Sequence, residues 1–507
     1  MSRHVVVVGG GLAGITAATA LSEAGERVTL LEARPRLGGA TSSFRRAGMV
    51  IDNGQHVFLR CCTAYQGLLA RLGMTGAVSL QDRFDVTVLS PAGRASLRRS
   101  GLPGPLHMAA ALARYRFLSP AQRLRVLPAV AAMARLDPSD PSLDRQALGS
   151  WLAARWQDER MRRVLWDLFT VSAMNIAGDE ADLALAATVV KTALLSSRDA
   201  ADIGTPAAPL GELHGNAAAR LLDRLGARVR LNAKAEAIEV LPSGGFRLSV
   251  RTRSSTAHQP TPPGAVDNDD PFSFSPPQGG KTERIIDGDG PGAEDGGYAG
   301  AAEVLRADAV VLAVPAGAAG RLVPAGAVPR DGADWGGLGT SPIVNVHVVY
   351  DRRVTRLPFA AAVDSPVQWV FDRTGPSGLA SGQYLAVSLS AADSYADVPA
   401  ATMREEFVPA LEQLFPAAVN AGVSDFFVTR ERRATFRQAP GCGALRPRTA
   451  TAVPGLVLAG AWTDTGWPDT MEGAVRSGLF AARELRGVPA RALGRRTRMG
   501  VTTGAVA

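Results

Sequence analysis

The run His4-Val5-Val6-Val7-Val8, followed by Gly9-Gly10-Gly11-Leu12-Ala13-Gly14, an alanine-rich stretch and Val28-Thr29-Leu30-Leu31-Glu32, decides the fold. It reads as strand, turn, helix and second strand. Gly9 allows the tight turn, Gly11 lets the backbone approach a pyrophosphate, and Gly14 lets the helix lie close on the strand. The helix begins at Leu12 and Ala13, so its first amides and the positive end of its dipole face the phosphate charge. Glu32 closes the second strand at the distance where a carboxylate accepts ribose hydroxyls. A turn that only packs a helix on a strand would share the glycines without needing that acid. The stretch therefore predicts a dinucleotide held against the first helix.

The next residues, Ala33-Arg34-Pro35-Arg36-Leu37-Gly38-Gly39-Ala40-Thr41-Ser42, place a basic residue and a second glycine pair where a plain nicotinamide dehydrogenase usually runs into its next helix. Near the other end stand Gly460-Ala461-Trp462-Thr463-Asp464-Thr465-Gly466 and Met471-Glu472-Gly473-Ala474-Val475-Arg476-Ser477-Gly478. Together these segments resemble the flavin-dependent amine oxidase and phytoene desaturase superfamily. The resemblance implies an α/β fold: a discontinuous, FAD-binding Rossmann-like domain of the GR2 type, interleaved with an α+β substrate domain. It also implies FAD as cofactor, with contacts from Ala33, Arg34, Gly38, Gly39, Ala40, Thr41, Gly460, Met471 and Glu472. Ala235 stands where an apolar residue commonly meets the adenine, although an ordinary sheet strand would carry it too. For Glu472, a charge favoured by the helix dipole is explanation enough.

Ile51-Asp52-Asn53-Gly54-Gln55-His56 is the sharpest subfamily clue. With the closing segment it resembles the squalene-associated desaturase group, the hydroxysqualene dehydroxylases of squalene and hopanoid biosynthesis. The resemblance places Asn53, Gly54 and Gln55 along the flavin, with His56 beside its ring system. There His56 or Gln55 could serve a leaving hydroxyl, though a satisfied buried imidazole is the plainer reading of His56. Asp52 and Asn53 read as residues that shape the turn. Asp464 and Asp469 are further acid candidates, either of which could simply cap the following helix. One departure stands out: many relatives have Gly-Asp where this chain has Gly460-Ala461, and that Asp holds the ribityl chain. The implied activity is reductive removal of the hydroxyl from hydroxysqualene. Its rivals are oxidative desaturation of an isoprenoid or carotenoid chain and a non-catalytic prenyl-lipid carrier on the same fold, but the pyrophosphate glycines are all present.

The formal net charge of +8 is unevenly placed. Between Asp85 and Asp137 there is no acidic residue, yet Arg94, Arg98, Arg99, Arg114, Arg116, Arg123, Arg125 and Arg135 lie among leucines, Phe117 and Met108. Basic heads interleaved with large apolar residues suit the surface of an anionic membrane, while a solvated helical face is the alternative. No nucleic-acid module or stacking pattern accompanies the arginines, so nucleic acid is not expected as a partner. Cys61, Cys62 and Cys442 offer neither a disulfide framework nor metal-ligand spacing, and no metal is expected. No uncharged apolar run approaches the roughly 18 to 20 residues of a spanning helix, and the chain opens directly on a strand. These readings favour a cytoplasmic protein, peripheral on the inner face of the membrane. No G-x-S-x-G elbow exists for a serine hydrolase. The lack of a second strand-flanked glycine fingerprint leaves the electron donor unidentified, bound elsewhere or another protein.

The expected order is FAD domain over 1–85, 210–325 and 446–487, and substrate domain over 86–209 and 326–445. A Pro, Gly, Ser and Asp-rich insertion at 254–300, carrying Phe272 and Phe274, and a basic tail at 488–507 read as disordered. Residues 86–209 read as helical, with 146–166 and 183–195 as the clearest helices. Further candidates are a helix at 216–225, strands at 229–240, 245–251 and 307–315, strands at 344–350, 383–389 and 424–430, and a helix at 402–414.

Overall fold

The computed structural model describes residues 2–253, 286–288, 303–328 and 335–488. Its organising feature is a five-stranded parallel sheet in the order Arg228–Arg230, Arg27–Leu31, His4–Val8, Ala309–Leu312, Leu456–Leu458. Three separated stretches of chain thus contribute to one sheet. Val5 to Val8 lie in its middle and are fully buried, which is why they are apolar without alternation: both faces of a parallel sheet are covered. One cover is made by the opening helix Leu12–Glu23 and the closing helix Met471–Leu485. Their contact is close enough that a Cβ on Gly478 would stand 2.3 Å from the Ala13 carbonyl oxygen.

The second large unit is an eight-stranded mixed sheet. Its order is Ile286–Gly288, Val423–Thr435, Ser341–Tyr350, Gln383–Leu389, Trp369–Asp372, Phe359–Ala362, Asp85–Ser90, Gly93–Arg98. Val344, Val346, Val348, Leu385 and Val387 pack one face onto Met403, Phe407 and Leu411 of helix Ala400–Leu414. Val349, Tyr384, Ala386 and Phe427 meet Met49 and Ile51, which belong to the hairpin Ser43–Arg46/Met49–Asp52. The alternation along these strands therefore has a purpose: one set holds the helix and the other positions the hairpin that leads into Asn53 and Gln55.

Several elements differ from the sequence reading. Residues 86–209 are not wholly helical: Asp85–Ser90 and Gly93–Arg98 pair as strands, and Ile203–Pro206 is a strand as well. The first two form a hairpin with each other, but the partner that joins them to the large sheet is distant in sequence, Ala361 with Val88, so no local signal marks their place in it. The helix expected at 146–166 breaks after Leu148–Ala153 and resumes at Glu159, because Trp156 takes φ +58° and Asp158 caps a new start. Residues 229–240 divide at Asn232, φ +53°, sending Arg228–Arg230 to the parallel sheet and Ala233–Val240 to an antiparallel one. Likewise 307–315 divides at Asp308, whose carboxylate accepts the His4 N–H at 2.7 Å. Strand Gln383–Leu389 has the expected bounds. Most of the insertion 254–300, with Phe272 and Phe274, and nearly all of the tail 488–507 lie outside the described residues. Within that insertion, Ile286–Gly288 forms a short strand parallel to Thr429–Glu431, where a sheet edge offers backbone partners.

Candidate active site

The glycines of the opening turn are held by contacts that exclude a side chain. Gly9 has φ +106°, and a Cβ there would stand 2.3 Å from the Ala313 carbonyl oxygen; on Gly14 it would stand 1.9 Å from that of Gly9. The second glycine pair folds over the first turn: Gly38 N–H donates to the Gly10 carbonyl at 2.9 Å, and a Cβ on Gly39 would reach Gly11 Cα at 2.9 Å. Gly11 precedes the opening helix without any side-chain cap, leaving the first amides of Leu12 and Ala13 for an anion. Thr41 closes this loop, its hydroxyl donating to the Gly38 carbonyl at 2.8 Å, and Ala40 is exposed beside it.

Glu32 is buried, and its carboxylate accepts the Gly10 N–H at 2.6 Å and the Arg34 N–H at 2.8 Å. A carboxylate has about four acceptor positions, so capacity for hydroxyl donors remains. Asn232 N–H donates to the Arg34 carbonyl and Ala233 N–H to that of Glu32. These bonds tie the strand of Ala235 to the turn that carries Glu32, Ala33 and Arg34. Ala235 itself is buried at a β-bulge.

On the far side, Gly460 takes φ +140°, where a Cβ would strike the Trp462 indole nitrogen at 2.3 Å. Its N–H donates to Ser477 Oγ at 2.8 Å. The Gly460–Thr465 loop is pinned by Arg446, which the sequence reading missed. This buried guanidinium donates to the carbonyls of Ala461 and Thr463 and to the Thr465 hydroxyl. Met471 opens the closing helix, where Thr470 Oγ1 accepts the Gly473 N–H. Glu472 is fully buried and uses its oxygens on the N–H groups of Ala64 and Tyr65 and on Arg476. It therefore ties the start of helix Thr63–Leu72 to the closing helix. Asp464 is exposed and outside the pocket described next, whereas Asp469 is pushed up to about 6 by burial while accepting the Phe436 N–H.

Past the hairpin lies a small pocket walled by Gln55, His56, Val57, Thr205, Phe371 and the pair Asp52–Arg373. Asp52 and Arg373 are both buried. Asp52 accepts from Arg373 Nη2 at 2.6 Å, from Ser43 Oγ at 2.6 Å and from the Leu210 N–H at 2.9 Å. Arg373 Nη1 also donates to the Pro206 carbonyl. Asp52 is thus an anchor whose two oxygens hold three donors from three separate elements. Asn53 and Ser42 hold one another through two hydrogen bonds.

His56 Nδ1 lies 3.2 Å from the Gly54 carbonyl oxygen. A carbonyl only accepts, so Nδ1 carries the hydrogen and Nε2 of the neutral ring presents a lone pair. Loss of water contact is the largest influence on this imidazole and holds it below its ordinary value. The Gln55 carboxamide nitrogen is buried with no partner among the described residues, and so is the Asn345 side-chain oxygen. Asn345, which the sequence reading also missed, donates from its amide nitrogen to the Asn53 carbonyl. The orphan Asn345 acceptor near Gly54 fits a donor on the edge of a flat heteroaromatic ring. Asn345 and His347 stand two apart in an otherwise apolar strand, a signal that could have marked them.

Behind the pocket, His214 is fully buried with Nε2 2.9 Å from the Tyr65 hydroxyl, and burial pushes it down to about 3. Its folded value lies below the unfolded one, so stability falls as pH drops below the unfolded value of about 6.5. Between about pH 6 and 4, the stability advantage of wild type over His214→Gln is expected to shrink by about 1.4 kcal/mol per pH unit. Urea titrations of both proteins across that range measure this; a constant difference contradicts it.

One grouping was not foreseen. Asp144, Asp182 and Cys442 bring their ligand-type atoms within 4.8 Å of one another. Asp144 accepts the N–H groups of Gly443 and Ala444, capping the distant turn at Cys442–Leu445, and Asp182 accepts that of Leu185 at the start of its own helix. Burial pushes Asp182 up to about 7.

Comparison with known proteins agrees with this architecture. The family model described as flavin containing amine oxidoreductase matches residues 12–261 and 287–486. A Rhodopseudomonas palustris protein named hydroxysqualene dehydroxylase is 28% identical over 494 residues, covering 95% of this chain and 98% of that one. A Glycine max 15-cis-phytoene desaturase is 22% identical, covering 95% of this chain and 79% of its own. Among solved structures, putrescine oxidase bound to putrescine superposes with a TM-score of 0.65 at 18% identity, covering 96% of this chain and 99% of that one. The chain therefore belongs to the flavin-containing amine oxidoreductase family, and it is an FAD-dependent oxidoreductase.

Proposed function

We propose that the protein removes the hydroxyl of hydroxysqualene to give squalene. The reading is carried by similarity along nearly the whole of both chains to a protein named for that reaction. In this reading the glycine turns and the amides of Leu12 and Ala13 take the pyrophosphate, Glu32, Ala33 and Arg34 the adenosine ribose, and Ala235 the adenine. Gly38, Gly39, Ala40, Thr41, Asn53, Gly54, Gly460 and Met471 surround the remainder. Bound and reduced, the flavin supplies a hydride and a proton, so that the alcohol becomes hydrocarbon and water. The electron donor that reduces it is a separate partner.

The chain's own residues act on the leaving oxygen. Gln55 Nε2, the buried donor without a protein partner, hydrogen-bonds that oxygen as it gains charge. His56 Nε2 accepts the hydroxyl hydrogen and fixes its direction, and a neutral ring holds no proton to give. Arg373 in the pocket wall favours negative charge there, while Asp52 keeps it in place. Removing one such donor typically costs about 10² to 10³ in kcat. Gln55→Leu is therefore expected to lower kcat about a hundredfold with flavin spectrum unchanged, and His56→Gln less than about tenfold. The reverse ranking would make His56 the acid.

A second reading, oxidative desaturation of an isoprenoid chain, is favoured by the phytoene desaturase relative. Mass analysis of products separates the two. Dehydroxylation replaces the hydroxyl by hydrogen, whereas desaturation removes hydrogen and adds conjugation.

A further inference from the structure

We propose that the outer face of helix Pro120–Arg135, together with the 101–106 loop and Trp156, docks on an anionic phospholipid bilayer. The helix buries Val126, Ala129 and Met133 and turns Leu124 and Leu127 outward, 69% and 53% exposed. Its solvent side thus carries large apolar side chains beside Arg125 and Arg135, against the usual pattern of a surface helix. Trp156 and Leu124 are the most exposed large apolar side chains among the described residues, Trp156 at 71%.

Trp156 is held beside this helix. Gln157 Nε2 donates to the Arg125 carbonyl at 2.8 Å, and Gln122 Nε2 reaches Asp158 at 3.0 Å. The backbone at Trp156 takes φ +58°, a costly conformation for a bulky residue, kept here with its indole in solvent. In the 101–106 loop, Leu102 and Leu106 are also exposed. That loop lies on Leu195 and Ser196, and segment Lys191–Leu195 packs on the same helix.

The segment that builds most of this face, residues 86–136, is basic throughout, and exposed Asp158 and Glu159 follow Trp156 at its edge. Arg99 is taken up by Asp202, and Arg123 by the carbonyls of Ala113, Tyr115 and Leu118. Exposed Arg114 and Arg116, in contrast, make no ion pair among the described residues, and no acidic residue occurs from 86 to 136. Apolar side chains flanked by unpaired guanidinium groups complement anionic headgroups over acyl chains. Among the described residues no helix is long and apolar enough to cross a membrane, so the face lies on the bilayer.

Beneath it, one apolar cluster runs from Ala111, Tyr115 and Val126 through Leu168 to Ile203 and Phe371. Phe371 also walls the Gln55 pocket.

The test is flotation of the flavin-loaded full-length protein with phosphatidylcholine vesicles, with and without phosphatidylglycerol. Wild type is expected to float with the anionic vesicles and to be released by salt. Leu124→Glu with Leu127→Glu should weaken binding at least about tenfold, with flavin spectrum and melting temperature unchanged. Arg114→Glu with Arg116→Glu should weaken binding to anionic vesicles alone. Wild type that stays unbound, or variants that bind like wild type, overturn the proposal. Turnover of hydroxysqualene in detergent separates the two ideas: a protein that turns over there and ignores vesicles lacks the docking face, and one that binds vesicles without turnover lacks the proposed reaction.

Discussion

Gly14→Ala is expected to yield a protein that retains no flavin and melts far below wild type. The new Cβ would lie 1.9 Å from the Gly9 carbonyl oxygen and 3.0 Å from its carbon, and both are backbone atoms of a turn that cannot swing aside. Either the opening helix lifts off its strand or the Gly9–Gly11 turn opens, and each removes the cradle. Overpacking of a tight core costs about 1 to 3 kcal/mol and sometimes more, and here it falls on the contact that shapes the nucleotide site. Gly67→Ala is the control. It lies inside helix Thr63–Leu72 with nothing within 4 Å of the added carbon, and should stabilise by up to about 1 kcal/mol. Visible absorbance per protein and thermal melting decide the matter. Full flavin retention by Gly14→Ala would contradict the cradle.

The second large effect is expected at Arg373. Arg373→Met leaves the buried Asp52 carboxylate with only the Ser43 hydroxyl and the Leu210 amide, and loss of one partner from a buried pair typically costs about 3 to 5 kcal/mol. That is a large part of the roughly 5 to 15 kcal/mol that holds a typical native protein together. Pairing Arg373→Met with Asp52→Asn should recover about half of the loss, because the amide still accepts those bonds without a buried charge. Denaturant unfolding of the two single variants and the double variant gives the coupling directly. Single variants within about 1 kcal/mol of wild type would show that the pair is not a keystone of the pocket.

The parts of this fold that are legible in sequence are those whose causes are local. His4–Val8, Leu12–Glu23 and Arg27–Leu31 follow from an apolar run, a glycine turn and an alanine-rich stretch. Strand Gln383–Leu389 is likewise readable from its own composition. Strands Phe359–Ala362 and Trp369–Asp372 escape notice because they are four residues each, too short to show a period. Their identity comes from pairing with each other and with Gln383–Leu389 and Asp85–Ser90.

The site divides in the same way. The glycines of the cradle carry their reason in their spacing, and Gln55 and His56 stand in a motif that draws attention. Arg373, Arg446 and Asn345 do not, since each is a single polar residue whose partners lie on other elements: Asp52, the Thr463 loop and Asn53. Their role is set by which sheet faces which hairpin. Asp464 shows the converse, a residue prominent in a motif that folds to the surface.

The measurement that bears most directly on the central claim is an anaerobic single turnover. The flavin-loaded protein is reduced chemically, mixed with hydroxysqualene, followed by its visible spectrum and quenched for product analysis. Dehydroxylation predicts one squalene formed for each flavin that returns to the oxidised spectrum, with the rate about a hundredfold lower in Gln55→Leu. Flavin that stays reduced, with hydroxysqualene recovered intact, would contradict it.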